Sequence, residues 1–127
     1  MKVYVSGSFT HRAEVRRAAL LLGVAGHHVT SHWLTEPDMR FGDPAITEWE
    51  ERQRCNEDVL DVRRSDVFLL INRWASSSGG YPTEMGIAIE REMPIIVVGT
   101  PRNIFYRWPY VRMAASVADA INMMGDM

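Results

Sequence analysis

Glu84 follows a Ser/Gly-rich run, Ser76-Ser77-Ser78-Gly79-Gly80-Tyr81-Pro82-Thr83, and precedes the apolar segment Ile95-Ile96-Val97-Val98. The order reads as a loop of free backbone amides, a helix and a buried strand. Pro82 suits the first helical position, where an absent N–H costs nothing. Glu84 then falls about one turn in, at the positive end of the helix dipole and beside an anion-friendly loop. A carboxylate held there is what sugar or phosphate chemistry needs. The other reading is a helix cap, but a capping box wants Ser or Thr three residues earlier, where this chain has Tyr81.

Asp58 is a second candidate carboxylate. Cys55, Val59 and Val62 are expected to form an inward-leaning helical stripe, and Asp58 shares a face with Cys55 and Val62. A bare acid there is costly to bury, so it must line a cavity, find a partner, or sit at the rim in a salt bridge with Arg54 or Arg63. Glu57 and Asp61 are expected to be solvated. The turn Ser6-Gly7-Ser8-Phe9-Thr10 offers two hydroxyls and a bend before a helix, suited either to an anion or ribose hydroxyl or to a plain N-cap by Ser8 or Thr10. It has neither the Walker pattern nor the dinucleotide-binding glycine spacing. His32 and Trp33 pair an imidazole with a stacking aromatic, which fits a nucleobase or, for Trp33, core packing. His11, His27 and His28 lack metal-ligand spacing, and neither a metal nor a cofactor is expected.

Those residues need a scaffold. Lys2 to Ser6 reads as a first strand, Thr10 to Val24 as a helix closed by glycines, and His28 to His32 as a second strand. A loop over Leu34 to Ala45 leads into a long helix from Thr47 to about Arg64, then a buried strand from Asp66 to Asn72. After the Glu84 helix come a strand over Ile95 to Val98, a loop from Thr100 to Tyr110, a short edge strand over Val111 to Met113 and a last helix from Ser116 to Met124. Alternating helices and nearly continuous apolar strands predict a flavodoxin-like (Rossmann-like), doubly wound α/β fold with a parallel sheet of order 2-1-3-4-5. Ligands in such sheets bind beyond the carboxyl ends of the strands, where the winding reverses. Here those ends are Ser6-Gly7-Ser8, His32-Trp33, Asn72 and Ser76 to Gly80.

The composition sets the outer bounds. At 127 residues the chain is read as one domain, 1–127. A net charge of −2 argues against a nucleic-acid polymer as partner, because that affinity comes from phosphate neutralisation. A single cysteine, Cys55, rules out an internal disulfide and fits a reducing cytoplasm. No run reaches membrane-spanning length and the first residues do not read as a signal peptide, so a cytoplasmic protein without membrane contact is expected.

Taken in order, Val3-Tyr4-Val5-Ser6-Gly7-Ser8, Asn56-Glu57-Asp58, Asp66-Val67-Phe68-Leu69-Leu70 and Ser78-x-Gly80-x-x-x-Glu84-x-Gly86-x-Ala88 resemble the nucleoside 2-deoxyribosyltransferase superfamily. The chain looks nearest to its 2′-deoxynucleoside 5′-monophosphate N-hydrolases and CMP N-glycosidases. The eight-residue Asp58–Asp66 and six-residue Ser78–Glu84 spacings match as well. The resemblance implies that Glu84 is a nucleophile toward the anomeric carbon and that Asp58 protonates or positions the leaving base. It places Tyr4 and Ser8 on the sugar side and His32 in the base pocket. At the Ser78 position the transferase branch carries an Asp that holds the sugar 5′-hydroxyl, so Ser78, with Gly79 and Gly80, implies a 5′-monophosphate. Pro82-Thr83 departs from the usual Gly-aromatic pair, and Thr10 stands where the hydrolases have an Arg, with Arg12 nearby. Family sites are often completed by a neighbouring subunit, which implies a homodimer or higher homo-oligomer. Transfer to a second base is the alternative outcome, and a non-catalytic nucleotide-sensing module is the alternative of another class. A sensor needs neither acid.

Overall fold

Residues 1–37, 39–73 and 80–127 are described by a computed structural model. Five strands, β1 (Lys2–Gly7), β2 (His28–Val29), β3 (Val67–Asn72), β4 (Ile95–Gly99) and β5 (Val111–Ala114), form one sheet. All four pairings are parallel, and the order is β2-β1-β3-β4-β5, as the sequence leads one to expect. Among the described residues the four α-helices are α1 (Arg12–Val24), α2 (Glu48–Arg63), α3 (Gly80–Glu90) and α4 (Val117–Gly125).

Side chains alternate across the sheet, so each strand serves two cores. Val3, Val5, Leu69, Ile71, Ile96 and Val98 join Val15 and Leu22 of α1 and Ala120 and Met124 of α4 in one cluster. Tyr4, Phe68, Leu70, Ile95 and Val97 join Val62 of α2 and Met85 and Ala88 of α3 in the other. Tyr4, and by the same two-residue period Ser6, therefore belong to the face that α2 and α3 cover. Every residue of β3 is buried, which is why it reads as an unbroken apolar run.

Several expected boundaries move for identifiable reasons. β2 pairs with β1 only at Lys2–His28 and Val3–Val29. Beyond Thr30 the ladder is replaced by a side chain, because the Val5 amide donates to Ser31 Oγ at 2.6 Å. His32 to Leu34 is then a short 3-10 turn and not the end of a strand. Another such turn, Phe9–His11, delays α1 to Arg12. α3 begins at Gly80, so Pro82 is its third residue, still within the first turn, whose amides lack intrahelical acceptors. Thr47 caps α2 by accepting the Glu50 amide at 3.1 Å. Cys55, expected to lean inward, is exposed, while Asp61, expected in solvent, is buried at 1% exposure. The inward face of this charged helix runs through Asp61 and Val62. No helix among the described residues is long and apolar enough to cross a membrane.

Candidate active site

Glu84 projects from the first turns of α3 toward β1, and two buried hydroxyls meet it. Tyr4 Oη donates to Oε2 at 2.5 Å and Ser6 Oγ donates to Oε1 at 2.7 Å. Both donors are fully buried, so the two carboxylate oxygens are fixed in direction as well as place. Burial raises the Glu84 pKa above the usual carboxylate range, and the Tyr4 and Ser6 hydrogen bonds pull back against it. Burial and the neighbouring Glu84 charge hold the Tyr4 hydroxyl far above its ordinary value, which favours the protonated, donating form. Its ring stacks on Phe68, with centroids 5.6 Å apart and planes 15° from parallel.

Asp58 reaches the same space from α2. Its Oδ1 is buried and has no hydrogen-bond partner among the described residues. Its pKa is pushed up to about 7, first by burial, then by the charges of Glu84, Asp61 and Glu57, with Arg54 opposing. Neither rim salt bridge forms: Arg54 instead pairs with the Glu36 carboxylate and donates to the Pro37 carbonyl at 3.1 Å. Two acids with unlike surroundings thus share one site, one tied at both oxygens and one free to hold or release a proton near neutrality.

Between them lies a cavity of about 260 Å³ that Gly7, Trp33, Asp58 and Glu84 all line. Phe9 and Trp33 flank it with ring centroids 6.0 Å apart. Trp33 is half-buried and anchored by its Nε1–H, which donates to the Val5 carbonyl at 2.9 Å, so it both packs and presents a face to the cavity. A Cβ on Gly7 would stand 2.8 Å from Val15 Cγ2, so glycine is what lets α1 approach the end of β1. Tyr81 closes another side; its hydroxyl bonds that of Tyr106, which also accepts from Asn72 Nδ2 at 2.8 Å.

The site also includes residues that sequence reasoning passed over. Glu36 and Met39 enter from the segment after Trp33, which the sequence showed only as a loop. Three arginines bind that segment: Arg12 donates to the Glu36 carbonyl at 2.6 Å, Arg16 donates to the Leu34 carbonyl, and Arg54 holds the Glu36 side chain. Arg12 also lies over the Phe9 ring, 4.5 Å from its centroid. An acid among Pro/Gly punctuation with three arginines at helical positions was the only available signal, and it named no partner.

Other candidates lie apart. His32 lines a different, larger cavity of about 950 Å³ beside β2 and binds Asp61. Ser8 is buried without lining the Glu84 cavity and makes no side-chain capping bond. Gly80 opens α3, and Ser78 and Gly79 lie outside the described residues. Among the described residues, no group of three or more His, Cys, Asp or Glu could hold a metal.

No protein-family model and no curated protein matches this chain. Solved structures do share its architecture, a five-stranded parallel sheet with helices on both faces. A 2-deoxyribosyltransferase from Bacillus psychrosaccharolyticus superposes with a TM-score of 0.78 at 19% identity, covering 96% of this chain and 91% of that one. A CMP N-glycosidase from Clostridium botulinum superposes at 0.64 with 14% identity over 100% of both chains. A conserved protein from Enterococcus faecalis V583 gives 0.51 at 13% identity, covering 97% and 87%.

Proposed function

We propose that this protein is an enzyme that cleaves the N-glycosidic bond of a nucleoside 5′-monophosphate, with Glu84 as nucleophile and Asp58 as the acid on the base side. The observation that carries the reading is the pairing of Glu84, bonded by Tyr4 and Ser6, with a buried Asp58 oxygen that has no partner among the described residues, around one cavity. Glu84 attacks the anomeric carbon as the bond to the base breaks, and the Asp58 proton goes to the departing nitrogen. Positive charge developing on the sugar ring is met by a carboxylate that needs no reorientation. Asp58, now ionised, takes a proton from water as that water attacks the glycosyl ester, which frees the sugar phosphate and restores both acids. Phe9 and Trp33 supply flat apolar surfaces for the base. The two similar enzymes, a deoxyribosyltransferase and a CMP N-glycosidase, are consistent with this chemistry.

The preference for a 5′-phosphate rests on Ser78 and on the Gly79 and Gly80 amides, which would donate to a dianion that an Asp would repel. Among the described residues lining the cavity, Arg54 is the one cation, and it is already paired with Glu36. The deciding experiment follows free base from deoxynucleosides, ribonucleosides and their 5′-monophosphates, with and without a second base as acceptor. Release from monophosphates that Glu84→Ala abolishes, in a variant that still folds, is expected. Release that survives Glu84→Ala removes the nucleophile. Equal kcat/KM for a nucleoside and its monophosphate removes the phosphate preference, and product formation only with an added acceptor base moves the protein to the transferase reading.

A further inference from the structure

Asp61 is a buried acid that the proposed mechanism leaves unused. It is 1% exposed, yet its Oδ2 accepts two hydrogen bonds from a single residue, the His32 backbone N–H at 3.1 Å and the His32 Nδ1 at 2.8 Å. Those bonds fix the imidazole tautomer, with Nδ1 as donor to the carboxylate. His32 keeps its other edge toward solvent, with 55% of its side chain exposed. Asp61 lies three positions after Asp58 on α2, a spacing that stacks side chains on one face of a helix.

We propose that His32 and Asp61 form a positioning pair for the reaction's acid: the imidazole holds a buried carboxylate one helical turn from Asp58, and that fixed negative charge keeps the proton on Asp58.

A tether between α2 and the His32–Leu34 turn would not by itself require a charge. An asparagine at position 61 could accept the same backbone amide, and burying an ionised carboxylate is costly without compensation. The charge has its effect on the groups around it. Asp58 faces Glu57, Asp61 and Arg54 from its own helix and Glu84 from α3, and Asp61 adds to the repulsion that disfavours its ionised form. Asp61 acts in the same direction on Glu84 and on Tyr4 of β1. Around His32, the Asp61 hydrogen bond favours the imidazolium and Glu57 adds to it, against its partial burial and Arg64. Deprotonation of His32 then leaves the Asp61 charge uncompensated, so the pair holds the Asp58 proton more firmly as pH rises.

The proposal rests on Asp58 being the acid, so its first test does not depend on turnover. Carboxyl-carbon NMR of the ligand-free protein follows the Asp58 titration in the wild type, Asp61→Asn and His32→Gln. Removing the neighbouring negative charge lowers the Asp58 midpoint by about one unit in Asp61→Asn. It also moves the alkaline limb of kcat/KM down by the same amount, with the plateau at lower pH retained. His32→Gln, at a half-exposed position, keeps a neutral donor and moves the Asp58 midpoint upward. An unchanged Asp58 midpoint in Asp61→Asn overturns the proposal and leaves Asp61 a tether. If Asp61→Asn does not fold, His32→Gln decides, and an unmoved midpoint there has the same meaning. A shifted midpoint in a protein that turns over none of the tested substrates would sustain the electrostatic pair while refuting the N-glycosidase reading.

Discussion

Replacing Tyr4 with Phe removes one oxygen from the site and little else. The ring remains stacked on Phe68 in the core shared by β1, β3, α2 and α3, so the fold is retained. What disappears is the 2.5 Å hydrogen bond to Glu84 Oε2, made inside a buried pocket. Hydrogen bonds to charged groups contribute about 1.5–3 kcal/mol, which corresponds to roughly one to two units on the carboxyl pKa. Tyr4 stabilises the ionised form of Glu84, so its loss raises a pKa that burial already holds high. As the proposed nucleophile, Glu84 must be ionised to attack. The acid limb of kcat/KM therefore moves upward by about one to two units, and at pH values below that limb base release falls roughly 10- to 100-fold. The assay is release of free base from a nucleoside monophosphate across the pH range in which both proteins remain folded. The folded Glu84 pKa lies above its unfolded value, so Tyr4→Phe should also lose stability as pH rises through that window and least in acid. An acid limb in Tyr4→Phe identical to the wild type would refute the reasoning, because it would mean the short hydrogen bond does not act on the ionisation that limits the rate.

Asp58→Asn is expected to slow base release by about 10²–10⁴-fold for a poor leaving group and far less for one that departs without protonation. With the Asp58 pKa at about 7 in the folded protein, the alkaline limb near neutrality should vanish in this variant. The folded pKa lies above the unfolded one, so Asp58 costs stability progressively as pH rises, and Asp58→Asn should melt higher than wild type in mild alkali but not in acid. Equal losses for good and poor leaving groups would exclude the acid role. Gly7→Ala places a methyl 2.8 Å from Val15 Cγ2 in a fully buried, β-branched side chain, and overpacking of that kind costs about 1–3 kcal/mol. A fall of several degrees in Tm, partly recovered by Val15→Ala in the double variant, is the expected result. An unchanged Tm would show that α1 can move away.

The unbroken apolar runs of β3 and β4, the β-branched β1 and the intervening helical periods fixed a parallel sheet and its order, because those signals are local and each of these three strands is buried along most of its length. The sequence also singled out Glu84 and Asp58, since an acid at a helix start beyond a Gly/Ser loop and an acid on an apolar helical face are conspicuous in one dimension. Its errors concern groups whose environment is set by a distant partner. Asp61 reads as one more charge on a polar helix until His32, 29 residues earlier, is seen to bond it. His32 in turn reads as the end of a strand beside the cleft, until the Ser31 hydroxyl takes the Val5 amide and the chain turns away into a different cavity. Glu36 becomes part of the site only because arginines from two helices fasten its loop. Periodicity specifies which face of an element is buried, and by itself this chain determined its sheet and its helices and named two candidate acids. Which carboxylate meets which donor depends on side chains from separate elements converging at the carboxyl ends of the strands, and only the tertiary structure decided that.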